Sequence, residues 1–135
     1  MKHLMILLVT LMTQQVWATG ETFCSMNVGN AKVDMYLLNS RLPGAPVLDG
    51  EATVTIDNKI NQHFKVKNHD LVGWWDLDGE LKAFFLIPAS GKDIRDSQLK
   101  ITTTWSDVHG IHLGTVHYIG PQGEEFTEII HCELG

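Results

Sequence analysis

Apolar residues in this chain recur at every second position and, beyond the N-terminal segment, are never sustained at helical spacing over three turns. Many short stretches alternate in this way and stop at Gly, Pro, Asn or Asp. A chain so patterned cannot bury helical faces, so it must bury strand faces. Strands are expected at residues 23–28, 32–38, 51–57, 60–67, 71–76, 80–87, 99–105, 111–119 and 125–132. Asp57-Asn58-Lys59 reads as a short turn tolerant of left-handed geometry, and Asp78-Gly79 as a tight hairpin turn. Two longer loops separate the rest: residues 39–46, whose Pro43 and Pro46 cannot donate to a ladder, and residues 89–96, with room for one helical turn.

About 8 to 9 short strands joined by short connections imply an all-β domain in largely antiparallel, meander order, either a barrel or a two-sheet sandwich. Two cysteines bear on that choice. Cys24 and Cys132 lie near the two ends of the domain, and two cysteines can pair in only one way. A bridge joining the first and last strands sets them side by side, as barrel closure requires, and so favours the barrel. The alternative use of the pair is as free or metal-binding thiols.

The disulfide reading depends on an oxidising compartment, and the N-terminus points to one. Lys2 precedes the apolar run Leu4 to Met12, the chain turns polar at Thr13-Gln14-Gln15, and Val16-Trp17-Ala18 offers a cleavage site. The run of roughly ten residues spans about 15 Å as a helix, half the hydrocarbon thickness of a bilayer, so it reads as a cleavable signal and not as a membrane span. Residues 1–18 are thus expected to be removed, leaving residues 19–135 as one domain, secreted or periplasmic. Losing Lys2 and no acid takes the formal charge from −6 to −7. That balance argues against nucleic acid and anionic lipid surfaces as partners and suits a basic one.

Two of the strands are cleanly amphipathic: Ala52, Val54 and Ile56 oppose Glu51, Thr53, Thr55 and Asp57, and Leu99, Ile101 and Trp105 oppose Lys100, Thr102, Thr104 and Ser106. The hairpin between them breaks the rule. Leu71, Gly73, Trp75 and Leu77 share one face and Val72 and Trp74 the other, while Ala83, Phe85 and Ile87 are backed by Phe84 and Leu86. A sheet apolar on both sides must be covered on both, by core on one and by loops, a ligand or a protein on the other. Trp74, Trp75, Phe84 and Leu86 are therefore the candidate binding residues, for a small apolar molecule or a protein partner; indole joins large apolar area to a polar tip. The bland alternative is that the long loops cover this hairpin as ordinary core.

Other chemistry is thinly represented. His109, His112, His117 and His131 are weak candidates for a metal site, with His63 or His69 as further members, because His112 and His117 are five positions apart on one strand and so face opposite ways. The Asp76, Asp78 and Glu80 run has its glycine too early for a calcium loop. There is no nucleophile elbow, phosphate loop or zinc-protease motif, and nothing in the chain calls for a cofactor. A binding module ranks first, an acidic inhibitor of a basic cell-envelope hydrolase second, and a histidine-based metal-binding protein third.

Overall fold

A computed structural model describes residues 19–40 and 46–135. The expected signal segment and the centre of the first long loop, with Pro43, lie outside the described residues. Nine strands follow in chain order: β1 Thr19–Val28, β2 Ala31–Ser40, β3 Val47–Ile56, β4 Lys59–Lys65, β5 Leu71–Leu77, β6 Glu80–Ile87, β7 Ser97–Ser106, β8 Ile111–Ile119 and β9 Glu125–Leu134. They form one sheet in the order β4-β3-β2-β1-β9-β8-β7-β6-β5, antiparallel throughout, which curls into a nearly closed barrel. Every pairing joins strands adjacent in sequence except β1–β9, and β4 and β5 are left as the two edges. At the β1–β9 pairing Cys24 stands directly opposite Cys132, with Cα atoms 4.0 Å apart, and the two are bridged across 108 residues.

The turns follow from the residues placed in them. Asp57 and Asn58, and likewise Asp78 and Gly79, hold positive φ at both central positions, the geometry whose twist matches that of the flanking strands. Two strands begin earlier than alternation alone suggests, β1 at Thr19 and β3 at Val47. In β3 the reason is Gly50, which reads as a strand terminator but sits inside the strand at φ 145°. A Cβ there would lie 2.3 Å from the Tyr36 carbonyl oxygen, so Gly50 is where two backbones press together. The loop over residues 89–96 holds no helical turn. Among the described residues a 3-10 turn falls instead at Val66–Asn68, just after β4, and ends on His69 in the left-handed region at φ 62°.

That turn lies at the seam of the barrel. Eight antiparallel steps separate β4 from β5 around the sheet, so the two run in the same direction and cannot close by a hairpin. Asp70 bridges them. Its amide donates to the Lys65 carbonyl at 3.2 Å, its Oδ2 accepts from the Lys65 amide at 2.7 Å, and its carbonyl accepts from the Leu86 amide at 2.8 Å. Behind it Phe64 of β4 packs on Phe85 of β6, ring centroids 5.5 Å apart. β4 also reaches across the interior: Gln62 Nε2 donates to Ser97 Oγ on β7 at 2.8 Å, and the Tyr118 hydroxyl on β8 donates to Asn61 Oδ1.

The interior is apolar through its middle, filled by Val33, Leu37, Val54, Phe64, Leu81, Phe85, Leu99, Ile101, Val116 and Ile130. Toward the end where β1 begins it turns polar. Thr22, Asn39, Thr103 and His112 are all buried there; Thr22 Oγ1 donates to Asn39 Oδ1 at 2.9 Å, and Thr103 Oγ1 lies 3.3 Å from His112 Nδ1.

Candidate functional site

The hairpin of β5 and β6 departs from simple alternation at one residue. Leu71 pairs with Phe85 and Gly73 with Phe84, leaving Val72 as the extra residue of a β-bulge. The bulge resets the faces of β5. Leu71 joins Trp74 inside, while Gly73, Trp75 and Leu77 point outward; the expectation that Leu71 shares a face with Trp75 is therefore corrected. Trp74 pairs with Ala83 and packs on the core, whereas Trp75 pairs with Lys82 and is 47% exposed. On β6 the faces fall as alternation predicts, with Leu81, Ala83 and Phe85 buried and Phe84 and Leu86 half-buried on the outer side.

On this outer face lies a groove of about 490 Å³, within the range of small-molecule pockets, lined by residues of β5, β6, β7 and β8. Its geometry can be read from the ladder. One row across the strands runs Gly73, Phe84, Lys100, His117, each directly opposite the next. Trp75 and Lys82 flank this row on one side and Gln98 on the other. Gly73 is the origin of the hollow: with no side chain between Trp75 and the bulged Val72, the floor of the groove is Phe84 and the backbone. The fold does not demand glycine here. A Cβ at Gly73 would make only an ordinary contact, 3.5 Å from Phe84 Cβ, and its φ is not in the left-handed region. Gly73 is thus unlike Gly50, which the chain cannot replace without moving backbone.

The charges are asymmetric along the row. At the β5 and β6 end Trp75 and Phe84 offer apolar surface with Lys82 at its rim; at the β7 and β8 end Lys100, His117 and Gln98 offer polar groups. His117 Nε2 is held by Glu125 Oε1 at 2.9 Å, and Lys82 lies 3.7 Å from Glu80. Lys100 is exposed, and no ion pair to it is formed among the described residues.

Of the four residues singled out from sequence, Trp75 and Phe84 meet in the groove. Trp74 lines it but turns its ring to the core, and Leu86 sits one row away, opposite Gln98. Sequence reading missed Gly73, Lys82, Gln98 and Lys100, and singled out His117 only as a weak metal candidate. The period-two rule already placed Lys82 and Phe84 on one face, but which strand lies beside which, and hence the row, is a property of the sheet.

The histidines do not converge. His112 is buried inside and His117 is outside, His131 Nε2 is 3.0 Å from Ser25 Oγ, and His109 lies in the turn before β8. Among the described residues no group of three or more His, Cys, Asp or Glu side chains is arranged to hold a metal ion. Burial lowers the pKa of His112 from its ordinary value, with the nearby Asp76 carboxylate pulling the other way. Burial and then the charge of Glu124 push the Tyr118 phenol up. Both are interior groups rather than groove groups. Among the described residues no helix is long and apolar enough to cross a membrane.

No family model, curated protein or solved structure matches this chain.

Proposed function

We propose that the protein is a small exported binding module whose outer groove over β5 to β8 takes up an apolar molecule. The observation that carries this reading is Gly73: a strand-interior glycine that neither φ nor crowding requires, set where any side chain would fill the hollow between Trp75 and Phe84. A glycine inside a strand costs roughly 0.5–1 kcal/mol relative to alanine, so keeping one open needs a return elsewhere. Export is supported by the N-terminal pattern, and the Cys24–Cys132 bridge is compatible with an oxidising compartment.

The test is calorimetric binding of 1-octanol as a neutral apolar probe, paired with urea unfolding. Trp75→Ala is expected to weaken octanol binding by about tenfold or more while changing stability little, because the ring is half-exposed. Trp74→Ala is expected to destabilise the fold by about 2–4 kcal/mol instead. If Trp75→Ala binds octanol as the unaltered protein does, the groove is not the site.

A second reading has its own observation. Beside the β5–β6 turn the chain exposes Trp105 and Val108, 49% and 88% accessible, among Asp78, Glu80 and Asp107; the Trp105 amide bonds the Gly79 carbonyl and its Nε1 bonds Asp107. An apolar tip ringed by acids suits a basic protein, such as a cell-envelope hydrolase, and supports an inhibitor role. Association with such a protein that is insensitive to salt and to Val108→Ser would remove this reading.

A further inference from the structure

We propose that the molecule held in the groove is an amphipathic anion, its apolar body over β5 and β6 and its anionic group against Lys100; this inference rests on the groove being a binding site.

The row Gly73, Phe84, Lys100, His117 crosses four strands, and neighbouring strands lie about 4.8 Å apart, so the row is about 14 Å long. Along it the chemistry changes once. The first two strands present Gly73 and Phe84 with Trp75 and the Glu80-paired Lys82 beside them, while the next two present Lys100 and His117 with Gln98 alongside. Lys100 therefore stands about 10 Å from the hollow at Gly73, two strand spacings away. A wholly apolar guest long enough to fill the groove would lie across an ammonium and strip part of its hydration, which is unfavourable. A cationic guest would meet Lys100 and Lys82 together. An anionic end group answers both objections.

Among the described residues, the pairing around the groove leaves Lys100 for that role. Glu80 is 3.7 Å from Lys82, and Glu125 is bound by His117 at 2.9 Å, so these two acids are already engaged. Lys100 lies between Phe84 and His117 in the middle of the sheet, flanked by an aromatic ring and an imidazole instead of a carboxylate. In a chain with 16 acids and 10 bases, a mid-strand lysine with no acid beside it, next to the hollow, is a local inversion of the surface charge. The class that fits is a medium-length alkyl or aryl carboxylate, since a single ammonium offers point-charge donors to one oxyanion and not a bidentate fork.

The experiment compares octanoate, 1-octanol and octylammonium by calorimetry on the whole mature protein. Octanoate is expected to bind about tenfold tighter than octanol, the worth of one charge-assisted hydrogen bond at an accessible site, and octylammonium weaker than either. In Lys100→Met the octanoate-to-octanol ratio is expected to fall to about one, and in Lys100→Arg to persist; raising salt narrows the ratio in the unaltered protein. Octanoate binding no tighter than octanol, or a ratio indifferent to Lys100→Met, overturns the anionic class while leaving the groove a binding site. Failure of the unaltered protein to bind either compound overturns the groove reading and this inference with it.

Discussion

Two glycines, Gly50 on β3 and Gly73 on β5, illustrate how much a single position decides. Gly50 is needed because a Cβ would run into the Tyr36 carbonyl at 2.3 Å, and Gly73 is not needed at all by that criterion. Gly50→Ala is expected to destabilise by about 1–3 kcal/mol and Gly73→Ala to be neutral or stabilising by about 0.5 kcal/mol, as read by urea midpoints. Equal losses at the two positions would show that Gly73 is structural. His112 carries the second expectation at this scale. Its folded pKa is lowered by burial, so the unfolded chain binds a proton where the folded chain does not. Its contribution to stability is full above about pH 6.5 and is lost as pH falls from there toward the folded value. Unfolding followed between about pH 8 and pH 5 should show that loss, and His112→Asn should show less of it.

The elements were legible where alternation ran unbroken, and obscure where one residue was inserted. All nine strands, the Asp-Gly hairpin and the cysteine pair follow from the pattern of residues, because burial of one face fixes a period of two. The bulge at Val72 was not legible, since an extra residue leaves no mark in composition yet exchanges the faces of everything before it. It is why Leu71 and Trp74 lie inside while Trp75 lies out. The polar inner end was equally hidden: Asn39 reads as loop and His112 as a weak metal candidate, and only the barrel places Asn39 beside Thr22 and His112 beside Thr103 in the interior. Two elements hold the closed shape. The Cys24–Cys132 bridge spans 108 residues, for which chain-entropy models give about 4–5 kcal/mol, so the doubly substituted Cys24→Ala, Cys132→Ala chain should lose stability on that scale in urea. A loss below about 1 kcal/mol would mean the β1–β9 ladder holds without it. At the seam, Asp70→Ala removes a buried carboxylate and leaves the Lys65 amide without its acceptor, and is expected to cost about 1–3 kcal/mol, where an exposed turn residue would cost almost nothing.

At the scale of the whole molecule the barrel separates stability from binding. Its interior is packed with buried apolar side chains, and the candidate site lies on the outer face of β5 to β8. There the sheet carries aromatic surface that the core does not need. The long loop at residues 88–96 does not cover Trp75, which remains half-exposed; the loop is instead tied to the β8–β9 turn through the Ile94 amide and the Pro121 carbonyl, 2.9 Å apart. The most direct test of the groove as a ligand site is native mass spectrometry of the protein recovered gently from its producing compartment, beside a Gly73→Val variant in which the hollow is filled. A discrete added mass on the unaltered protein, absent from a folded Gly73→Val, is the predicted result. The same added mass on both, or none on either, would contradict it.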